Sequence, residues 1–131
     1  MSTIFTKIIK GEISCHKIWE DERFFAFLDI RPIQPGMTLV VPKQEFEHPF
    51  DMDDAEFCDL MAAAKRLVPA IQKAVGCVRV GLVIEGLEVP HAHVKLIPLN
   101  KPGDLNHANS REMSDDELRA MAEKIKSNLP N

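Results

Sequence analysis

The order of strand-like and helix-like segments restricts the fold of this 131-residue chain more than any other feature. The spacing of apolar residues predicts a short helix, three strands, a long helix, two strands and a final helix. Because strands and helices do not alternate throughout, a doubly wound parallel sheet is disfavoured. The order favours an α+β fold with a five-stranded, mostly antiparallel sheet. The length fits one domain, residues 1–131, and no internal repeat is visible.

Local signals set the expected limits of these elements. The helices are predicted at 3–10, from 51–53 to Gly76, and from Asp115 to about Ser127 after a capping box that starts at Ser114. Pro69 lies inside the long helix and should kink it or end its regular part early. The strands are predicted at 17–20, 24–30, 37–42, 79–86 and 89–99.

Charge and cysteine content argue against several classes of protein. A net charge of −4 and a pI near 5.7 disfavour binding to a nucleic acid polymer, although a small nucleotide needs only a few positive groups. Cys15, Cys58 and Cys77 are scattered and include no C-x-x-C pair, so we expect reduced thiols in a cytoplasmic protein. We expect no signal peptide and no membrane association, because no apolar run approaches the length of a membrane span.

The fifth predicted strand, residues 89–99, carries an unusual set of polar side chains. Because strand side chains alternate between faces, His91, His93 and Lys95 share one face, and apolar side chains occupy the other. Three adjacent groups able to carry positive charge are costly to bury. Strands tolerate them where the face lines a ligand site, so this strand is the expected centre of function.

Three interpretations of this face compete. The histidines could be solvated or could form core hydrogen bonds, which a lone histidine usually does. A metal site could use His91 and His93, but it needs a third ligand and Lys95 repels a divalent cation. Phosphate chemistry uses all three groups, because an imidazole can attack phosphorus while a cation stabilises the developing charge.

The residues also resemble the histidine triad (HIT) superfamily of nucleotide hydrolases and transferases, in its nucleotide-binding branch. The resemblance covers nearly the whole chain. Residues 89–98, Val-Pro-His-Ala-His-Val-Lys-Leu-Ile-Pro, resemble the family signature, His-x-His-x-His between apolar residues. Further matching segments, in the family's order and spacing, are 4–13, 20–21, 26–30 and 35–43.

The resemblance implies an enzyme that cleaves a nucleoside phosphoramidate or a dinucleotide at the α-phosphate. His93 matches the nucleophile that forms a transient nucleotidyl-histidine, and His91 matches the residue that orients it. Asp29 matches the acid that binds the ribose hydroxyls. A homodimer is expected, with a purine nucleoside phosphate as ligand, no cofactor and no metal. The implied walls of the base pocket are Ile4, Phe5, Ile8, Phe27, Leu28 and Ile30.

The chain departs from the family pattern at several positions. Lys95 replaces the third histidine, and Glu45 stands where a histidine often follows the third strand. We expect Glu45 and Lys95 to form an ion pair in place of two histidines. The loop before His91 lacks a Gly-Gln-Ser/Thr segment, and Thr3 and Thr6 replace a cysteine pair that binds zinc in some members. The alternative functions are therefore a nucleotide-binding module with little turnover and a metal site on the two histidines.

Overall fold

A five-stranded sheet forms the centre of the molecule in the computed structural model, which describes residues 2–130. The strands are β1 (Lys17–Glu20), β2 (Phe24–Leu28), β3 (Thr38–Pro42), β4 (Arg79–Val83) and β5 (Val94–Leu99). Their order is β1-β2-β3-β5-β4, and every neighbouring pair is antiparallel. The helices are α1 (Ile4–Ile9), α2 (Asp54–Val75) and α3 (Asp115–Lys126), with short 3₁₀ turns at Pro49–Asp51 and His107–Asn109. The predicted α+β class and antiparallel sheet are confirmed.

The two faces of the sheet are covered by different helices. On the α2 face, helices α2 and α3 pack over a cluster that includes Val40, Val94 and Leu96. On the α1 face, Phe5 of the short helix packs with Phe27 and other apolar residues of β2 and β3. Because β2 and β3 are buried on both sides, their sequences are continuous apolar runs rather than alternating ones.

Capping residues place the helix ends close to the predicted limits. The side chains of Thr3, Asp53 and Ser114 each accept a backbone amide hydrogen bond at the start of a helix. Gly76 ends α2 in the left-handed conformation, with φ of 75°. None of the helices in residues 2–130 is both long enough and apolar enough to cross a membrane.

Pro69 was predicted either to kink the long helix or to end its regular part early. Helix α2 passes through Pro69 and continues to Val75, so the early end is wrong. A proline inside a helix removes one backbone hydrogen bond. Buried residues lie on both sides of this position, from Leu60 to Ala74, and hold the helix against the sheet. Packing therefore outweighs the local cost of the proline.

The last two strands are shorter than predicted, because residues 84–93 form a loop rather than strand ends. Pairing between β4 and β5 ends at Val83 opposite Lys95. Ahead of β5, the amide of Ala92 donates instead to the carbonyl oxygen of Phe46, at 2.6 Å. Gly86 has a φ of 75°, and a Cβ there would lie 2.4 Å from a ring carbon of His48, so this close approach requires a glycine. His91 and His93 therefore lie in this loop, just before the first residue of β5, instead of in the middle of a strand.

Candidate active site

A cavity of about 390 Å³ opens on the α1 face beside the start of β5. Five of the predicted site residues line it: Phe5, Asp29, Ile30, His93 and Lys95. Its remaining lining residues are Arg31, Ile33, Met37, Leu39, Glu88, Val89, His107 and Ser110. The lining combines apolar side chains with nitrogen-bearing ones, and this combination is typical of sites for small ligands with a charged end.

The ring of His93 lines the cavity, and its hydrogen bonding defines which ring nitrogen carries the hydrogen. Its Nδ1 is 2.7 Å from the backbone carbonyl oxygen of His91. A carbonyl oxygen only accepts hydrogen bonds, so Nδ1 carries the hydrogen and donates it. In the neutral ring, Nε2 therefore keeps its lone pair, which is the form that a nucleophile or a base requires.

The surroundings of His93 favour its neutral form. The residue is 4% exposed, and its ring meets the Phe5 ring edge-on with centroids 5.1 Å apart. Burial lowers the pKa of His93 below its ordinary value; the hydrogen bond to His91 opposes that shift, and the charge of Lys95 adds to it. At neutral pH the lone pair on Nε2 is therefore available.

His91 is fully buried and lies behind His93 rather than in the cavity. Its Nε2 is 2.8 Å from the carbonyl oxygen of Pro42, and its Nδ1 is 2.8 Å from the hydroxyl oxygen of Thr3. The ring thus ties the end of β3 to the start of α1. Through its own carbonyl group, His91 also fixes the orientation of His93.

Lys95 pairs with Glu85, not with Glu45, so the expected Glu45 to Lys95 ion pair is wrong. The ammonium nitrogen of Lys95 lies 3.1 Å from one carboxylate oxygen of Glu85. The hydrogen bond from Lys95 lowers the pKa of Glu85. The pairing of β4 with β5 places Val83 opposite Lys95, and Glu85 follows two residues later. Glu45 instead accepts a hydrogen bond from the hydroxyl group of Thr6 in α1.

The second carboxylate oxygen of Glu85 lies 3.6 Å from Nε2 of His107. His107 comes from the loop between β5 and α3 and lines the cavity beside His93 and Lys95. Glu85 therefore stands between two groups that can carry positive charge. Such a pair of nitrogen-bearing side chains next to His93 suits a phosphate group.

Sequence reasoning missed the contribution of this loop. Ser110 donates a hydrogen bond from its hydroxyl group to the carbonyl oxygen of Arg31, at 2.9 Å, and Arg31 pairs with Glu112 at 2.8 Å. These contacts dock the loop beside β2 and bring His107 and Ser110 to the cavity. No local pattern in residues 101–113 signals this docking, because it depends on partners far away in the sequence.

The other predicted site residues, Ile4, Ile8, Phe27, Leu28 and His91, are not part of the cavity lining. Ile8 and Phe27 are buried beneath it in the cluster of the α1 face, and Ile4 is half exposed. Asp29 lines the cavity and one of its carboxylate oxygens accepts the amide of Arg31 at 2.9 Å. The side chain of Leu28 packs on the α2 face, because neighbouring residues of β2 alternate in direction.

The donor atoms do not fit a metal. Residues 2–130 contain no group of three or more histidine, cysteine, aspartate or glutamate side chains placed to hold a metal ion. Both ring nitrogens of His91 are already hydrogen-bonded, and Nε2 must carry a hydrogen because Pro42 offers it only a carbonyl oxygen. Thr3 and Thr6 stand where some members of the histidine triad superfamily have cysteines, and their hydroxyl groups are poor zinc ligands. A metal site on His91 and His93 would therefore require His91 to give up one of these hydrogen bonds and a third ligand that residues 2–130 do not place beside them.

Comparison with known proteins gives consistent matches. Residues 10–102 match the HIT domain family. An adenosine 5′-monophosphoramidase of Schizosaccharomyces pombe is 32% identical, over 98% of this chain and 99% of that protein. Several other relatives are described only as uncharacterized HIT-like proteins.

Solved structures of similar proteins share the fold. A hypothetical histidine triad nucleotide-binding protein from Sulfolobus tokodaii has a TM-score of 0.85 and 28% identity, covering 95% of this chain and 90% of that one. A zinc-bound histidine triad family protein from Mycobacterium smegmatis has a TM-score of 0.82 and 25% identity, covering 98% and 93%.

Proposed function

Since the chain belongs to the HIT domain family, we propose that it is a nucleotide hydrolase or transferase of the HIT type. Its substrate is a nucleoside 5′-phosphoramidate or a dinucleotide, cleaved at the α-phosphate. One observation carries this proposal: His93 faces the cavity with Nδ1 held by a carbonyl group, so that Nε2 presents its lone pair beside Lys95. The monophosphoramidase relative from Schizosaccharomyces pombe supports the same reaction class.

In the proposed reaction, Nε2 of His93 donates its lone pair to the α-phosphorus. The bond from phosphorus to the leaving nitrogen or oxygen breaks, and the leaving group departs with that electron pair and takes a proton from solvent, which the attacking water of the second step returns. The nucleotidyl group is then bonded to Nε2 while Nδ1 keeps its hydrogen against the His91 carbonyl. Water attacks the same phosphorus in a second step, and this releases the nucleoside monophosphate and restores His93.

Charge stabilisation in this proposal comes from Lys95. Its ammonium group lines the cavity next to His93, where negative charge develops on the phosphoryl oxygens. The ion pair with Glu85 fixes the position of the Lys95 ammonium group, which favours electrostatic stabilisation over proton donation. His107 adds a second protonatable nitrogen beside the same part of the cavity.

The nucleoside is proposed to occupy the other part of the cavity. The carboxylate of Asp29 is suited to accept hydrogen bonds from the two ribose hydroxyls. Phe5 and Ile30 line the space proposed for a purine base, and Ile8 and Phe27 support that wall from the cluster of the α1 face. No role is proposed for the Leu28 side chain, which packs on the α2 face.

A second candidate function is a nucleotide-binding module with little or no turnover. The ion pair between Lys95 and Glu85 favours this function, because it fixes a lysine at the position of the third histidine in the HIT signature. Glu88 in the cavity lining adds negative charge near the phosphate position. Fold and nucleotide binding depend less on a proton donor than catalysis does.

One experiment separates the two functions. The protein and its His93→Ala variant are incubated with adenosine 5′-phosphoramidate and with a diadenosine polyphosphate, with and without a chelator. Turnover that is lost in the variant and unaffected by the chelator supports the enzyme. Saturable nucleotide binding without turnover supports the binding module. Turnover that persists in the variant, or that the chelator stops, contradicts the proposed role of His93.

We further propose that the chain forms a homodimer across α2 and the edge strand β4. Met61, Val68, Val80 and Leu82 line an apolar groove there, and Leu82 is 37% exposed. Light scattering should give twice the chain mass for the wild type and the chain mass for Leu82→Glu. A monomeric wild type contradicts this arrangement.

All three cysteines are free thiols, which supports a cytoplasmic location.

A further inference from the structure

The cavity lining contains a second imidazole, that of His107, besides the nucleophile His93. It belongs to the 3₁₀ turn between β5 and α3. Its Nε2 lies 3.6 Å from one carboxylate oxygen of Glu85, whose other oxygen accepts a hydrogen bond from Lys95 at 3.1 Å. The side chain of His107 is 62% exposed, so it stands at the mouth of the cavity, where a leaving group departs into solvent.

The turn that carries His107 is held against the protein on both sides. Before it, the side-chain amide of Gln34 donates to the carbonyl oxygen of Asp104 at 3.1 Å. After it, the hydroxyl group of Ser110 donates to the carbonyl oxygen of Arg31 at 2.9 Å. Both Gln34 and Arg31 lie in the connection between β2 and β3, so the fold itself places His107 beside the cavity.

The other nitrogen-bearing side chains of the described lining are less suited to give a proton to the leaving group. The ammonium group of Lys95 is held by Glu85 and is proposed to face the phosphoryl oxygens. Arg31 pairs with Glu112 at 2.8 Å, and a guanidinium group does not release a proton in proteins. Nε2 of His93 attacks phosphorus, while its Nδ1 keeps a hydrogen against a carbonyl oxygen. An imidazole can both give and take a proton near neutral pH.

We propose that His107 is a further catalytic residue that protonates the leaving group in place of solvent, an inference that rests on the proposed function. In the first step, a ring N–H of His107 gives its proton to the leaving atom as the bond to phosphorus breaks and its electron pair goes to that atom. In the second step, the neutral ring accepts a proton from the attacking water. The bond from phosphorus to Nε2 of His93 then breaks, and its electron pair returns to that nitrogen. Both histidines regain their starting forms, so no proton is gained or lost over the cycle.

Glu85 is the positioning residue for this step. A carboxylate beside an imidazole orients the ring and stabilises the positive charge that the ring carries when it is protonated. The pKa of Glu85 is lowered, first by the hydrogen bond from Lys95 and to a smaller extent by the charges of His107 and His93. One carboxylate thus directs two groups, Lys95 toward the phosphoryl oxygens and His107 toward the leaving group.

The test compares two substrates that differ only in the leaving group. The nitrogen of adenosine 5′-phosphoramidate needs a proton to leave, whereas the p-nitrophenyl ester of AMP releases a stable anion. His107→Gln should lower kcat/KM for the phosphoramidate by about a hundredfold, the contribution of a general acid, and should change kcat/KM for the ester by less than about threefold. This ratio covers only the steps up to the departure of the leaving group, so the attack of water does not affect it.

Asn109→Ala is the matched control. The side-chain amide of Asn109 donates to the carbonyl oxygen of Gly103 at 3.0 Å, so its removal loosens the same loop and keeps the imidazole. It should lower kcat/KM for both substrates by a similar factor. If His107→Gln lowers both substrates equally, or neither, the role of His107 is overturned, while turnover that still depends on His93 leaves the proposed function intact. A wild type that turns over neither substrate overturns both.

Discussion

Strand β5 and the residues before it present opposite chemistry to the two faces of the sheet. Val94 and Leu96 point to the α2 face and are at most 1% exposed, in the hydrophobic cluster under α2 and α3. His93 and Lys95 point to the α1 face, where they are nearly as buried but line a cavity. The difference teaches that burial alone does not distinguish a structural strand face from a functional one. What distinguishes them is whether the buried side chains are satisfied by packing or by hydrogen bonds and charges.

The largest expected effect comes from the α1 face. His93→Ala should reduce the turnover of adenosine 5′-phosphoramidate by at least about a thousandfold, because it removes the atom that attacks phosphorus. Val94→Ala, the neighbouring position on the α2 face, is the matched control and should leave kcat within about threefold, since its side chain lies in the hydrophobic cluster of that face. Steady-state kinetics on both folded variants checks the contrast. Equal losses of activity in the two would remove the distinction between the faces.

The next effect belongs to the α2 face and concerns stability. Leu96→Ala should lower the free energy of unfolding by about 2–5 kcal/mol, because it opens a cavity in the cluster under α2. Lys95→Met, on the opposite face, keeps most of the side-chain volume and should cost less. Urea unfolding followed by circular dichroism measures both. A larger loss for Lys95→Met would mean that the α1 face, rather than the α2 face, holds the sheet together.

An intermediate effect should follow from restoring the third histidine. Lys95→His should raise the turnover of adenosine 5′-phosphoramidate by about tenfold, since an imidazole donates a proton to the leaving amine more readily than a paired ammonium group does. Single-turnover kinetics at neutral pH provides the measurement. An unchanged or lower rate would indicate that Lys95 already serves the leaving group, or that proton donation does not limit the reaction.

The smallest effect expected is in the pH dependence. His93 must be neutral to attack, so kcat/KM should fall when the ring takes up a proton. Because burial lowers the pKa of His93, kcat/KM should begin to fall on the acid side at a pH below the pKa of an ordinary histidine, about 6.5. Lys95→Met should move this pH upward only in part, because burial is the larger cause. A fall that begins above a pH of about 6.5 in the wild type would contradict a buried, neutral nucleophile.

Most of the fold was predictable because its signals are local. Capping residues such as Asp53 and Ser114, and the period of the apolar residues, indicate the helices correctly. The limits of β4 and β5 were not predictable, since strand ends depend on which neighbour is paired, and residues 84–93 leave the sheet where pairing stops. The effect of Pro69 was not predictable either, because tertiary packing decides whether a helix tolerates a proline.

The candidate site was predictable only in its centre. The alternation along residues 91–96 indicates that His93 and Lys95 share a face, and the structure places both in the cavity. The partner of Lys95 could not be deduced from the sequence, because it depends on the pairing of β4 with β5, which brings Glu85 close to Lys95. His107 enters from a docked loop without a sequence signal.

The most direct test of the account is to trap the covalent intermediate. The protein is mixed with adenosine 5′-phosphoramidate, quenched in base within the first turnover, digested and examined by mass spectrometry. The account predicts an adenylyl group on the peptide that contains residues 91–96, absent in His93→Ala and assigned to His93 by fragmentation. An adenylyl group on another residue, or full turnover without any adenylated peptide, would contradict the assignment of His93 as the nucleophile.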